Sequence, residues 1–316
     1  MGFYIRVALL CGIVLGFVSY VFFFSPPRSF PQQFLLSVRS GETAGDIAET
    51  LKADNAIRSE FVFKVLLRLS RSHNRIIAGT YYFDHPQNAF SIVWRLHIGN
   101  FNLEPVKVTL PEGTNVSQMN AIFKNSLPIF DSQTFLTLAK SKEGYLFPDT
   151  YFFYPGEDSK QIIETMEENF SARISNPAVQ KVLSASGKSK ADILIMASLI
   201  EKEAPDTVNR QIISGILWKR IKIGMPLQVD AVMPYITGKP GSEILQTDYK
   251  IDSPYNTYLY KGLPPGPITN PGIDAIIAAA TPTTTPYLYY LSDEDGKFHY
   301  GKTFDEQLAN QRKYLK

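Results

Sequence analysis

The chain has 316 residues, of which 44% are hydrophobic and 20% charged, and its formal net charge is +2. This length allows about two domains, each able to bury a core of its own. Nucleic acid is not an expected partner, because the sequence has no concentrated run of lysine and arginine. The single cysteine, Cys11, excludes an intramolecular disulfide and a thiolate zinc site. The four histidines lack metal-ligand spacing, so we predict neither a metal site nor a cofactor.

The N-terminus contains a long apolar segment. Residues 7–24 carry no charge and are almost wholly apolar, and a helix of about 18 residues is close to the hydrocarbon thickness of a bilayer. A cleaved signal peptide is the alternative, but phenylalanines at 22–24 stand where a cleavage site needs small residues. We predict a single-pass helix at 7–24, preceded by a cytoplasmic segment at 1–6 and followed by a linker at 25–33. The rest of the chain is then expected outside the cytoplasm, at the inner cell membrane.

The segment 34–104 has the pattern of a small strand-helix-helix-strand module. The predicted elements are, in order, a strand at 34–38, a helix around Ile47, Ala48 and Leu51, a helix at 60–69 and a strand at 79–83. The stretch 38–48, V-x-x-G-E-T-x-x-x-I-A, resembles a LysM module, a small fold that grips N-acetylglucosamine polymers. A spacer of similar size that binds no ligand is the alternative.

A looser copy of the pattern follows at 105–186. An alternating strand at 106–110 precedes a helix that contains Met119 and Phe123, and glycine followed by an aromatic strand recurs at 144–153.

The composition changes from residue 187 onward, where we place a third domain at 187–316. Its predicted elements are a strongly apolar helix at 191–202, helices at 211–221 and 272–280, and an aromatic strand at 287–290. The long glycine- and proline-rich stretch between the second and third helices is too rich in tyrosine for disorder. Long irregular loops inside compact domains are usually functional, so we expect this loop to contribute to a site.

Two carboxylates stand at the end of the apolar helix. Apolar surroundings raise the pKa of a carboxyl, which a general acid needs near neutral pH. Glu201 and Glu203 project about 200° apart, so only one of them can face a given cleft, and the helical wheel slightly favours Glu203. Two alternatives remain: both are solvated residues of a last helical turn, or Ser198 and Lys202 form a nucleophile and its base.

Several blocks of the chain resemble, in order, the motifs of the endolytic murein transglycosylase family. The block 196–204, M-A-S-L-I-E-K-E-A, is similar to the family's A-S-I-I-E-K-E-A signature. The later blocks R-I-K-I-G-M-P-L-Q-V-D, S-P-Y-N-T-Y and G-L-P-P-G-P-I at 220–268 match in the same way, as does G-Y-L-F-P-D-T-Y at 144–151. The chain departs from the family at Val229, where threonine is usual, and in the stretch 231–234.

The resemblance implies an α+β catalytic domain in which Glu203 is the catalytic acid and base, with Glu201 as the second candidate. The implied reaction is a non-hydrolytic cut between N-acetylmuramic acid and N-acetylglucosamine. The carboxyl protonates the leaving oxygen and then removes a proton from the muramic acid's own hydroxyl, which closes an anhydro ring. The candidate substrate contacts are Gln228, Asp230, Tyr255, Asn256 and Tyr258.

The same resemblance implies that the chain acts on nascent glycan strands of peptidoglycan, ends their elongation and has proteins of cell-wall synthesis as candidate partners. A two-carboxylate muramidase would instead enlist Glu201 or Asp230 as its second group. The alternative outside the enzymes is a membrane-tethered scaffold protein that binds peptidoglycan without cleaving it.

Overall fold

The computed structural model describes residues 5–6, 9–10, 12–14, 16–17, 20, 25–32, 34–70, 76–127 and 130–315. Most of the predicted membrane span at 7–24 lies outside this part of the chain. Within the described residues, no helix has the length and apolarity needed to cross a membrane. The predicted span therefore stays a prediction.

The described residues form a mixed α+β fold, as predicted. The strands are β1 (Phe34–Val38), β2 (Gly79–Phe83), β3 (Val106–Thr109), β4 (Thr150–Phe153), β5 (Tyr289–Ser292) and β6 (Phe298–Gly301). They pair as the two-stranded sheets β1–β2, β3–β4 and β5–β6. The helices are α1 (Ala44–Ala53), α2 (Glu60–Leu69), α3 (Ala89–Ile98), α4 (Val116–Ser126), α5 (Ser132–Ala139), α6 (Ser159–Ile174), α7 (Pro177–Ala185), α8 (Lys190–Glu203), α9 (Thr207–Lys222), α10 (Val232–Thr237), α11 (Ile273–Ala280) and α12 (Phe304–Tyr314).

The chain divides into two compact units. The first contains Met1–Lys107, Lys124–Asp131 and Phe152–Gln161, and the second contains Val108–Phe123, Ser132–Tyr151 and Ile162–Lys316. The domain boundaries predicted at 34–104, 105–186 and 187–316 stay a prediction.

The first unit has the predicted order β1–α1–α2–β2. The two strands are antiparallel, with Phe34 opposite Phe83 and Val38 opposite Gly79. Alternate residues of β1 are buried, as expected for a strand with one face toward a core. Thr43 begins α1 through a capping box with Asp46, in which each side chain bonds to the other residue's backbone N–H.

The second unit is built around α8, which is buried continuously from Ile193 to Glu201. A helix that is apolar all round has to be covered on every side, and α9 and α11 pack against α8. Helix α8 ends at Glu203, because the backbone of the following Ala204 is extended and Pro205 comes next in the chain. This end of the helix carries both candidate glutamates.

Asn270 joins distant segments within the second unit. Its Oδ1 accepts hydrogen bonds from the backbone N–H groups of Gly144 (2.8 Å) and Leu146 (3.0 Å). Its Nδ2 donates to the carbonyl of Thr114 (3.0 Å) and to Glu143 Oε1 (2.7 Å). The side chain is fully buried, so this network fixes the glycine-proline-rich loop against the start of the segment 144–151.

Candidate active site

Glu203 is the last residue of α8, and its side chain is half-buried. The hydroxyl of Tyr290, in β5, donates a hydrogen bond to Glu203 Oε2 at 2.8 Å. The carboxyl is thus oriented by a donor from a distant part of the second unit.

The surroundings of Glu203 favour its protonated form. Burial is the largest cause and raises the pKa of Glu203 from 4.5 to about 7, and the negative charge of Asp230 acts in the same direction. The hydrogen bond from Tyr290 and the charge of Arg220 oppose the shift in pKa. A carboxyl with this pKa holds a proton near neutral pH and can also release it, as a group that acts first as acid and then as base requires.

Two cavities of about 420 Å³ and about 450 Å³ adjoin at Glu203. Both are lined by Glu203, Asp230 and Ser292. Other residues of the first cavity include Arg220, Gln228, Tyr258, Tyr290, Phe298 and Gln307. Other residues of the second include Asn115, Gln118, Lys202, Tyr235, Tyr249 and Thr269. The carboxyl of Glu203 therefore has space for a ligand in both cavities.

Asp230 is held by two tyrosines. The hydroxyl of Tyr249 donates to Asp230 Oδ1 at 3.0 Å, and the hydroxyl of Tyr258 donates to the same oxygen. The two rings meet edge to face with centroids 4.7 Å apart. The tyrosine pair thus sets the position of Asp230, which lines both cavities.

Gln228 lines the first cavity from a left-handed backbone conformation, with φ of 49°. A residue other than glycine in this region costs of order 1 kcal/mol and persists only when its neighbours hold it. The N–H of Gln228 donates to the carbonyl of Thr257 at 3.0 Å, and the N–H of Val229 donates to Thr257 Oγ1 at 3.0 Å. Val229, where the chain departs from the family motif, is fully buried, so the substitution lies beneath the cavity wall.

Sequence reasoning missed Arg220 and Tyr290 as residues of the site. The buried guanidinium of Arg220 donates from Nε to the carbonyl of Leu288 (2.8 Å) and from Nη1 to that of Leu227 (2.6 Å). It also lines the first cavity. A signal was present for both residues: Arg220 opens the motif at 220–230, and Tyr290 belongs to the aromatic run at 287–290.

Glu201 does not line either cavity, and its carboxylate instead binds buried groups of the protein. Its Oε1 pairs with Arg210 Nη2, and its Oε2 accepts from the backbone N–H of Gly272 at 2.8 Å. Arg210 also pairs with Asp274 at 2.8 Å. Burial raises the pKa of Glu201, but both of its oxygens already have partners. The geometry therefore favours Glu203 over Glu201 as the reacting group.

Two of the predicted substrate contacts lie elsewhere. Asn256 is fully buried, and its Nδ2 donates to the carbonyls of Tyr249 (3.0 Å) and Ile251 (2.9 Å). Tyr255 lines a separate cavity of about 290 Å³, and its ring lies 5.0 Å from that of Tyr235. Asn256 shapes the loop that carries Tyr258, whereas Tyr255 borders a neighbouring surface.

The structure contradicts the serine–lysine alternative. Ser198 is fully buried; its Oγ donates to the carbonyl of Ile195 (2.7 Å) and accepts from the N–H of Ile268 (3.1 Å). A hydroxyl enclosed in this way cannot reach a substrate.

Comparison with known proteins agrees with the motifs. A sequence profile of the YceG-like family matches residues 36–313. The endolytic murein transglycosylase of Bacillus subtilis is 31% identical, over 89% of this chain and 84% of that protein. The protein of the same name from Streptococcus pneumoniae R6 is 27% identical, over 87% of this chain and 57% of that protein. The crystal structure of a YceG-like protein from Listeria monocytogenes superposes with a TM-score of 0.60 at 28% identity, over 88% of this chain and 99% of that one. The match spans most of the chain in both sequence and structure, and the chain belongs to the YceG-like family.

Proposed function

We propose that this chain cleaves the glycan strands of peptidoglycan, with Glu203 as the single group that acts as both acid and base. The chain is an enzyme of the lytic transglycosylase class, in keeping with relatives that are named endolytic murein transglycosylases. The observation that carries the proposal is the position of Glu203, with a pKa of about 7, at the junction of two cavities.

The two cavities support a cut inside a strand. A glycan that lies through both cavities would place sugars on each side of the carboxyl, as a cut within a strand requires. The lining of the first cavity combines polar groups with aromatic side chains, and this combination suits sugar hydroxyls and sugar rings.

The proposed reaction begins with protonated Glu203. It donates its proton to the oxygen that leaves with N-acetylglucosamine, while the bond from that oxygen to the anomeric carbon of N-acetylmuramic acid breaks. The resulting carboxylate then takes the proton of the muramic acid's own hydroxyl, whose oxygen bonds to the anomeric carbon and closes the anhydro ring. No water is consumed, and Glu203 ends in its starting state.

We assign the neighbouring groups by their positions. Gln228, Asp230 and Tyr258 are proposed to contact the sugars, and Arg220 to face the same ligand from the first cavity. Tyr290 orients the carboxyl of Glu203. Tyr255 remains a candidate contact for a more distant sugar.

The cellular setting is part of the proposal. We place a single-pass span at 7–24 at the inner membrane, with the N-terminus in the cytoplasm and the chain from residue 25 onward outside. We further propose that the LysM-like module of the first unit binds the same glycan, and that cutting ends the elongation of nascent strands beside proteins of cell-wall synthesis.

Digestion of purified glycan strands by the full chain in detergent tests the reaction, with Glu203→Gln beside it and products identified by mass spectrometry. Anhydro-muramic ends from the unaltered chain, and a loss of about 10²- to 10⁴-fold in the variant, are expected. Reducing ends would instead indicate a hydrolase, with Asp230 as its second carboxylate. Glycan binding without cleavage would contradict the proposed reaction and support the function of a non-catalytic scaffold.

A further inference from the structure

Helix α3 of the first unit exposes an apolar stripe. Phe90, Trp94 and Ile98 follow one another at intervals of four residues and so share one face of the helix. They are 60%, 53% and 48% exposed. The opposite face, with Ile92 and Leu96, is buried in the core of the unit. The stripe is therefore a continuous apolar surface on a helix that is already packed on its other side.

The exposed face of α3 carries no acidic or permanently charged side chain, and every residue of this helix is described. Its one arginine, Arg95, is buried and donates to the backbone carbonyls of Tyr82 (2.7 Å) and Asn100 (2.9 Å). A helix face turned toward water ordinarily carries charged and polar residues. A contiguous exposed apolar surface marks a site of interaction.

The segment that leads into β1 lies beside this stripe. Arg58 holds that segment by donating from Nε to the carbonyl of Ser25 (3.1 Å) and from Nη2 to that of Pro26 (3.0 Å). Pro26 lines a cavity of about 370 Å³ together with Phe90 and Trp94. Pro26 and the stripe are thus fixed next to each other.

We propose that this stripe inserts into the interfacial layer of the lipid bilayer from which the chain emerges. The inference rests on the proposed span at 7–24, which ends two residues before Pro26, and two residues reach at most about 7 Å. The interfacial layer of a bilayer is itself roughly 5–7 Å deep on each side. Tryptophan is enriched in this layer, and apolar helix faces bind in its plane. The stripe thereby sets the orientation of the first unit on the membrane.

Lipid quenching of tryptophan fluorescence tests the proposal on the full chain in phospholipid vesicles. The chain has two tryptophans, so Trp218→Phe leaves Trp94 as the only tryptophan, which is excited selectively at a wavelength that tyrosine does not absorb. Lipids brominated near the headgroup are expected to quench Trp94 relative to unbrominated vesicles. Adding Phe90→Ser and Ile98→Ser should abolish that quenching, because the serines remove the apolar surface that holds the stripe in lipid.

A matched control moves the emitter to the other unit. Val208 is 65% exposed at the start of α9, and a chain with Val208→Trp, Trp94→Phe and Trp218→Phe should escape quenching. Equal quenching at both positions, or none at Trp94 in a chain that floats with the vesicles, would overturn the proposal. So would a Trp94 response to N-acetylglucosamine oligomers alone, which would make the stripe a glycan site. A chain that does not float with the vesicles would contradict the proposed span at 7–24 and therefore also this proposal. Glycan digestion by the same preparation tests the enzymatic function separately.

Discussion

Glu201 and Glu203 stand two residues apart at the end of one helix, yet their surroundings differ in kind. Glu201 is buried against Arg210 and the N–H of Gly272, and both of its oxygens have partners. Glu203 accepts from the side chain of Tyr290 and borders two cavities. Burial raises the pKa of both carboxyls. A raised pKa therefore does not by itself identify the acid, and access to open space separates the two.

Glu143 provides a third case, because its pKa resembles that of Glu203 whereas its hydrogen bonding resembles that of Glu201. Burial raises its pKa to about 7, as for Glu203. Its oxygens are nevertheless occupied by the N–H of Val116 and the amide of Asn270, as those of Glu201 are occupied. We interpret Glu143 as a structural residue, and the folded chain is more stable when the carboxyl of Glu143 is protonated.

The largest expected effect on stability is at Glu201. Glu201→Gln should lower the free energy of unfolding by about 3 kcal/mol, because it leaves the buried Arg210 with only part of its compensation. Glycan cleavage per folded molecule should stay within about tenfold of the unaltered chain. Chemical denaturation and product release measure the two quantities.

Asp274→Asn is the matched control, since Asp274 pairs with the same arginine from a partly exposed position. It should cost only about 1 kcal/mol. If Glu201→Gln abolished cleavage in a folded protein while Glu203→Gln did not, the roles of the two glutamates would have to be exchanged.

The next effect concerns Glu143 and pH. Its pKa is higher in the folded chain (about 7) than the ordinary 4.5, so its stabilising contribution is complete below pH 4.5 and is lost as pH rises to about 7. The loss amounts to about 3 kcal/mol. Glu143→Gln resembles the protonated form, so the stability of the variant should fall less over this window.

Denaturation of the unaltered chain and the variant at pH 4.5, 6 and 7.5 gives the difference directly. Substitution of the exposed Glu49 by glutamine controls for the loss of one carboxylate. Parallel curves for the Glu143 variant and the unaltered chain would show that this carboxyl is not protonated in the folded state.

A smaller effect is expected at Tyr290. Its hydrogen bond stabilises the carboxylate form of Glu203 and lowers the pKa of that group. Tyr290→Phe should therefore raise the pKa, and the alkaline fall of kcat/KM, centred near pH 7 in the unaltered chain, should move up by about one pH unit. The pH profile of glycan cleavage measures the shift, and a downward shift would contradict the assigned role.

The smallest effect, of opposite sign, is expected at Asp230. Its charge raises the pKa of Glu203, so Asp230→Asn should move the alkaline fall toward lower pH by less than about one unit. Asp252→Asn, which alters an exposed carboxylate bonded to Tyr260, should leave the profile in place. An unchanged profile in the Asp230 variant would remove this residue from the electrostatics of the site.

Much of the second unit followed from local patterns. The run of apolar residues in α8 predicted a buried helix, and the observed Lys190–Glu203 extends the prediction of 191–202 by one residue at each end. Helix α9 begins earlier than predicted, at Thr207, because Asp206 caps it by accepting from the N–H of Asn209. The predicted strand at 287–290 lies two residues later, at Tyr289–Ser292.

The part of the site that the sequence did not predict depends on contacts between residues far apart in the chain. Tyr290 reaches Glu203 across 87 residues of sequence, and Asn270 reaches Gly144 across 126. No local periodicity encodes such pairs. The same limit applies to the expectation for Asn256. Its residue type is suited to binding a sugar, but its amide instead donates hydrogen bonds to backbone carbonyls of its own loop.

The division of the chain into two units has a consequence for how this architecture is inherited. The chain passes between the units five times, since each unit is assembled from three separate segments. Joining genes end to end transfers contiguous modules, so neither unit can be transplanted intact by a single fusion or released by a single proteolytic cut. Evolution is then expected to add new modules before or after the pair and to keep the pair itself together.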